Sequence, residues 1–192
     1  MGGGSTETII LAWDPLYKES SIILSSSNKT MTATSGVWDH VLGTVSKRAP
    51  VPNPTGYGPW WYFEVTVTST NTLIGICEES ETISTIPQLG YTVGSVSPTK
   101  SCGLYSTGAF YRDNTNPLNA TAGFTVGDVV GCSYSVGDST TRVRYYKNGV
   151  AISTDMLGLF FGGNIRPVVG VVSAVATISN NLYTTIDNKL GL

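Results

Sequence analysis

The stretch Phe124-Thr125-Val126-Gly127-Asp128-Val129-Val130-Gly131-Cys132-Ser133-Tyr134, followed shortly by Arg142-Val143-Arg144-Tyr145-Tyr146-Lys147-Asn148-Gly149-Val150, decides the fold. Gly127-Asp128 is a turn, and Val129, Val130 and Cys132 begin a buried strand. Val143 and Tyr145 alternate with Arg142, Arg144 and Tyr146, so the second strand has one apolar and one wet face. Asn148-Gly149 suits a type I′ hairpin, because both central residues of that turn need φ > 0. The order is therefore turn, strand, turn, strand, tight hairpin and next strand.

Working outward, the same rhythm recurs. Strands are predicted at Ile22–Leu24, Met31–Thr34, Val37–Val45, Trp61–Thr68, Leu73–Cys77, Val150–Ser153, Ile165–Val172 and Ala174–Ile178, with two more near Tyr91-Thr92-Val93 and Gly103-Leu104-Tyr105. Ile9–Trp13 is a short apolar run that enters the body or packs on a neighbouring chain, and Asp14-Pro15 turns the chain after it. Lys47 to Pro59 holds four prolines and reads as a long exposed loop. No window sustains the i, i+3, i+4, i+7 apolar spacing of a helix. Short β-branched strands divided by Gly, Pro and Asn turns argue for an all-β protein of two packed antiparallel sheets.

The central run resembles the SPRY (B30.2-like) family, whose most recognisable segment pairs a Gly-Asp-Val-Ile-Gly-Cys motif with a later Lys-Asn-Gly. Trp61-Tyr62-Phe63-Glu64-Val65-Thr66-Val67 is similar to that family's Tyr-Tyr-Phe-Glu-Val strand, and Ile165-Arg166-Pro167-Val168-Val169-Gly170-Val171 to its late strand. The opening is similar to SPRY-like modules of bacteriophage virion and tail proteins. Its matching parts are Trp13-Asp14-Pro15, the Ile22 to Thr34 hairpin and the strand from Trp38 to Val45. The resemblance implies a SPRY/concanavalin-like, jelly-roll-like β-sandwich.

Of the 192 residues, 12% are charged, about half the usual share, and the formal net charge is −2. Such a surface has no electrostatic footprint for nucleic acid or anionic membrane. One domain is expected over 9–192, preceded by a flexible Gly-rich arm over 1–8. Met1-Gly2-Gly3-Gly4-Ser5-Thr6 also matches a myristoylation pattern. No segment approaches the length of an apolar membrane span, and no signal peptide is visible. Asn28-Lys29-Thr30 and Asn119-Ala120-Thr121 fit the glycosylation sequon.

The three cysteines, Cys77, Cys102 and Cys132, show no paired framework and read as reduced thiols. No CxxC or clustered histidine supports a metal, and no cofactor is expected. The one histidine, His40, stands beside Asp39, but no serine or cysteine motif supplies a nucleophile. Alternation puts Trp38 and His40 on one face and Asp39 on the other. Glu78-Glu79-Ser80-Glu81 offers carboxylates for glycoside hydrolysis or calcium, and equally a solvated turn. Asp113, Asp138 and Asp155 read as isolated turn residues. No enzymatic activity is expected.

Aromatic residues in Ser/Thr/Gly loops suit protein contact or sugar stacking. In the resembled family, loops at one end of the sandwich form the partner site. That implies a contact patch of Tyr57, Trp60, Phe110, Tyr111 and Arg112, with burial of Trp60 and Phe110 beneath their own loops as the alternative. The expected function is a structural or attachment protein of a bacteriophage virion, in capsid decoration or in a tail or fibre. It would be assembled in the host cytoplasm in many copies, with other virion proteins or a host-surface receptor or glycan as partners. The alternatives are an intracellular adaptor that binds short peptides and a carbohydrate-binding module.

Overall fold

Strand after strand alternates side chains between two faces, and the apolar set of each faces a second sheet. The computed structural model describes residues 8–9, 11–46, 60–79, 100–112, 115–119, 122–136, 141–159, 163–178 and 182–183. Among them there are seventeen strands, β1 to β17 in chain order, and no helix. The larger sheet runs β13 (Val150–Ala151), β12 (Thr141–Lys147), β11 (Val129–Val136), β6 (Trp61–Val67), β16 (Val175–Ile178), β4 (Thr30–Ala33) and β3 (Ile22–Ser25). In addition β14 (Met156–Leu159) pairs with β12, β17 (Leu182–Tyr183) with β6, and β1 (Thr8–Ile9) with β17. The second sheet runs β10 (Thr115–Asn119), β9 (Ala109–Arg112), β8 (Ser101–Tyr105), β7 (Thr72–Glu78), β15 (Ile165–Val172), β5 (Trp38–Gly43) and β2 (Trp13–Lys18). All described pairings are antiparallel.

The core lies between the sheets. Phe63, Val65, Val130, Cys132, Val143 and Tyr145 from the larger sheet meet Ile74, Ile76, Cys102, Leu104, Phe110 and Val169 from the smaller one, all fully buried. Tyr145 crosses that layer and donates its hydroxyl to the Ile74 carbonyl at 3.0 Å, which satisfies a polar group in an apolar interior. Trp61 and Phe63 face inward and Tyr62 outward, as period-two alternation along β6 requires.

The deciding stretch folds as read. Register pairs Lys147 with Val150 around Asn148 and Gly149, whose φ values are 51° and 82°. The Asn148 side chain also ties this hairpin to the neighbouring turn. Its Oδ1 accepts from the Val129 amide at 2.8 Å, its Nδ2 donates to Asp128 Oδ1 at 2.8 Å, and its own N–H donates to the Val129 carbonyl at 2.8 Å.

Elsewhere the structure differs from the sequence reading. The middle stretch forms a hairpin of β9 and β10 that pattern did not reveal, turning earlier at Gly108 with φ 92°. The strand expected over Val150–Ser153 stops at Ala151: the Ile152 N–H still bonds the Tyr145 carbonyl, but the Tyr145 N–H is taken by Ser153 Oγ at 2.8 Å instead of returning to Ile152. Asp14-Pro15 bulges an edge strand rather than ending it: β2 pairs at Trp13 and at Lys18, with the register broken between them. Thr8, placed in the arm by composition, pairs with Tyr183. The remaining arm residues, the proline-rich loop and the strand near Tyr91 lie outside the described residues.

Sheet edges invite pairing with other chains, and this fold blunts them. Pro15 interrupts β2 and Pro117 sits in β10. At β3 the Ile22 N–H donates to the Glu19 carbonyl at 3.1 Å, and Lys18 Nζ donates to the Ile22 carbonyl at 2.8 Å.

Candidate interaction site

The short connection from Val67 to Thr72 puts the end of β6 and the start of β7 at one end of the sandwich. That turn end also holds the Asn148-Gly149 hairpin, the Gly127-Asp128 turn and Ser173. It is closely bonded. Ser106 Oγ donates to the Thr70 carbonyl, Thr68 Oγ1 to the Val175 carbonyl, and Ser173 Oγ to the Ser35 carbonyl. Asp39, facing away from Trp38 and His40, accepts from the Ser21 and Ser35 hydroxyls. The start of β6, the end of β7 and the end of β9 lie at the opposite end, where Trp60, Glu78 and Arg112 stand.

At that opposite end, on the outer face of the larger sheet, an aromatic and cationic cluster is built from three adjacent strands. Register aligns Tyr62 with Ser133 and Ser133 with Arg144, and Gly131 with Tyr146. Gly131 is required there: the Tyr62 ring lies across it, and any Cβ would overlap the ring. The ring thereby reaches Tyr146 edge-on, with centroids 5.8 Å apart. The Tyr62 hydroxyl donates to Glu64 at 2.7 Å. Burial first, and then the Glu64 carboxylate, push the Tyr62 phenol well above its ordinary pKa, so it stays a donor.

Arg144 lies over the half-buried Trp60, its guanidinium carbon 5.5 Å from the ring centroid. Its Nε and Nη2 both donate to Asp155 Oδ1, at 2.8 and 2.5 Å. Partial burial works against the charge, but the Asp155 bonds outweigh it and raise the pKa further. Arg142 approaches the other Asp155 oxygen at 3.9 Å. Arg144 is 33% exposed and Arg142 37%, so the cluster is open to a partner yet held in place. Asp155 is therefore not an isolated turn residue. The outward face of the Arg142–Tyr146 strand was visible in sequence, but it is wet only at the two arginines, since Tyr146 is buried against Tyr62; the partnership with Asp155 and Trp60 was not visible.

The five residues expected to form a patch are not all brought together. Tyr57 lies outside the described residues. Trp60 joins the cluster just described. Phe110 is not on the surface: it is fully buried in the inter-sheet core, 6.1 Å from the Tyr145 ring. The reason is alternation along β9, which turns Phe110 inward and its neighbour Tyr111 outward. Tyr111 is half-buried on the outer face of the smaller sheet, edge-on to Tyr105 at 6.4 Å. Arg112, also half-buried, ends β9 at the same end as Trp60 but in the other sheet.

Candidate chemical groups have structural roles. The His40 ring is fully buried against Gly170 and stacked on Trp38 at 6.4 Å, with Glu19 Oε2 3.8 Å from Nδ1. Neither ring nitrogen has a hydrogen-bond partner among the described residues, so no nucleophile is activated there. Glu78 pairs with Lys100 at 3.3 Å, and Glu79 accepts from Ser46 and Asn164 at 2.9 and 3.0 Å. Ser80 and Glu81 lie outside the described residues. The three thiols are free and buried. Burial pushes Cys102 and Cys132 well above the ordinary thiol pKa, the reverse of what a nucleophile needs. Among the described residues no group of three or more His, Cys, Asp or Glu is placed to hold a metal. No helix of the described chain is long and apolar enough to cross a membrane.

Trp, Tyr and Arg are the residue types that dominate binding energy at protein interfaces. An Arg fixed over a Trp by a carboxylate loses little further freedom on docking.

The SPRY domain model matches residues 60–185, about two thirds of the chain. The SPRY domain of human HERC1 superposes with a TM-score of 0.62 at 15% identity, covering 88% of this chain and 98% of that one. The TRIM65 PSpry domain does so with a TM-score of 0.60 at 13% identity, covering 90% of each chain. A search of curated protein sequences finds no significant match. SPRY domains are generally protein-binding modules rather than enzymes. With the two-sheet sandwich and the matched span in agreement, the chain belongs to the SPRY domain family.

Proposed function

We propose that the protein is a non-enzymatic attachment or structural component of a bacteriophage virion, in which the SPRY domain docks onto a capsid or tail protein. The observation that carries the binding part is the Trp60–Arg144–Asp155 cluster with Tyr62 and Tyr146 beside it. Trp60, Arg144 and Asp155 are preorganised, partly exposed side chains backed by the buried Tyr62 and Tyr146, in a chain that has few charges elsewhere. What supports the virion part is the opening resemblance, Trp13-Asp14-Pro15 with the hairpin and strand after it, and the weakly charged Ser/Thr-rich composition. Arg112 ends β9 at the same end of the sandwich, whereas Tyr111, on the outer face of the smaller sheet, lies outside the proposed contact.

Two measurements test this. Mass spectrometry of purified virions, with immunogold placement of the chain, should find it on the particle; its absence from particles sinks the virion reading. Binding to the capsid or tail protein so identified should weaken on Trp60→Ala and on Arg144→Ala, each by about 2 kcal/mol, the usual hot-spot loss, while both variants keep the wild-type unfolding free energy within about 1 kcal/mol. A Trp60→Ala, Arg144→Ala double variant that binds normally would remove this cluster from the interface. Raising salt from low to moderate should change affinity little, because contact here does not depend on a long-range field.

A further inference from the structure

Asn148-Gly149 serves the hairpin, but it is also a reactive dipeptide. Asparagine amides are thermolabile, and the glycine that follows leaves its backbone nitrogen unhindered. The turn is exposed at Asn148, Gly149 and Val150, and nothing stands within 4 Å of where a Gly149 Cβ would be. Solvent therefore reaches both reacting groups.

The reaction balances without an outside reagent other than water. The Gly149 nitrogen gives up its proton to solvent and attacks Asn148 Cγ. A C–N bond forms, the Cγ–Nδ2 bond breaks, and Nδ2 leaves as ammonia. Water then opens the resulting five-membered imide at either carbonyl, leaving aspartate or isoaspartate at 148. The net change is asparagine plus water to an acid plus ammonia.

Ring closure needs the Asn148 side chain to fold back along its own chain towards Gly149. The fold directs it elsewhere. Oδ1 is held by the Val129 N–H and Nδ2 by Asp128 Oδ1, both at 2.8 Å, on the turn that precedes β11 and on its first residue. Asp128 is itself fixed, because its Oδ2 accepts from the Thr125 N–H at 2.8 Å. We propose that Asn148 is a self-modification site latched by the fold, which converts to aspartate or isoaspartate only when the hairpin parts from the Asp128 turn, and which cannot latch again afterwards. The conversion is one-way in structure as well as chemistry. An acid at 148 has no N–H to give Asp128 and sets two carboxylates at hydrogen-bond distance. Isoaspartate also lengthens a two-residue turn by a backbone carbon, which the type I′ geometry cannot absorb. Conversion thus accumulates with the time that the turn end spends open.

The intact protein can be incubated at fixed, mildly alkaline pH, with conversion at residue 148 followed by peptide mapping that separates asparagine, aspartate and isoaspartate. Native protein should convert slowly and urea-unfolded protein far faster. Asp128→Ala should speed conversion of the folded protein about tenfold, as expected when one hydrogen bond no longer favours the closed turn. Asp128→Asn keeps one acceptor oxygen for the two bonds that Asp128 accepts, from Asn148 Nδ2 and the Thr125 N–H, so it should convert at a rate between wild type and Asp128→Ala, with circular dichroism excluding a general loss of folding in either variant. Gly149→Ala should slow conversion in the unfolded chain. Native protein that converts as fast as the unfolded chain overturns the proposal. So does an Asp128→Ala protein, folded by circular dichroism, that converts no faster than wild type.

Discussion

Replacing Asp14 by alanine should destabilise the protein far more than a surface charge normally would. Arg166 is 2% exposed on the outer side of β15 and Asp14 is 16% exposed on β2. The guanidinium Nη2 donates to Asp14, its Nε donates to the Gly43 carbonyl at 2.7 Å, and the Tyr17 ring lies 4.4 Å from its central carbon. Asp14→Ala leaves that buried charge without its counter-ion. Breaking a buried pair in this way costs about 3–5 kcal/mol. The Gly43 carbonyl and the Tyr17 face remain as partial compensation, so about 3 kcal/mol is expected. Arg166→Met behaves differently. It removes the charge together with its desolvation, keeps an apolar stem, and leaves Asp14 able to turn to water. Its expected cost is about 1–2 kcal/mol, the worth of the lost hydrogen bonds. The double variant should then cost less than the two single losses added, with a coupling of at least about 1 kcal/mol. Urea unfolding at neutral pH, with an unchanged m-value, measures all four proteins. A loss below about 1 kcal/mol for Asp14→Ala, or simple additivity, would refute the account of a buried pair that anchors the opening motif to the sandwich.

Four further outcomes are expected. Gly149→Val should lower stability by about 1–2 kcal/mol through backbone strain alone, since its φ is 82° and no neighbour obstructs the side chain; an unchanged denaturation midpoint would contradict the hairpin. Gly75→Ala should cost more, because its Cβ would overlap the Cys102 carbonyl. A thiol reagent should label almost nothing in native protein and three cysteines after unfolding without reductant, and a count of one would reveal a disulfide. Stability should fall on acidification. Asn164 and Ser46 hold Glu79, and the Thr125 N–H with Asn148 holds Asp128, below their ordinary carboxyl values. The unfolded chain takes up those protons first, so their contribution is complete above a pH of about 4–5 and is lost as pH falls through the lower folded values. Midpoints measured between neutral and acid pH should fall less steeply for Glu79→Gln and Asp128→Asn, whose midpoints at neutral pH start lower.

Local rules carried the strands a long way. Period-two alternation put Trp61, Phe63, Val143 and Tyr145 inward and Tyr62, Arg144 and Tyr146 outward, because side-chain direction in a strand is set by the backbone alone. Asn148-Gly149 fixed its own turn for the same reason: few other dipeptides enter positive φ at low cost. The Gly127-Asp128 turn was legible too. What the sequence could not reveal was any relation between distant segments. Asp155 looked like a loop residue until Arg144 was seen beside it, and Asp14 lies 152 positions from Arg166. Phe110 and Tyr111 are adjacent aromatics in a polar stretch too short to show a period, so only the pairing of β8 with β9 decided that one enters the core and the other faces out. Trp60 became part of a site because antiparallel pairing of β6, β11 and β12 brings three distant segments onto one face, and that proximity belongs to the sheet rather than to any of its strands.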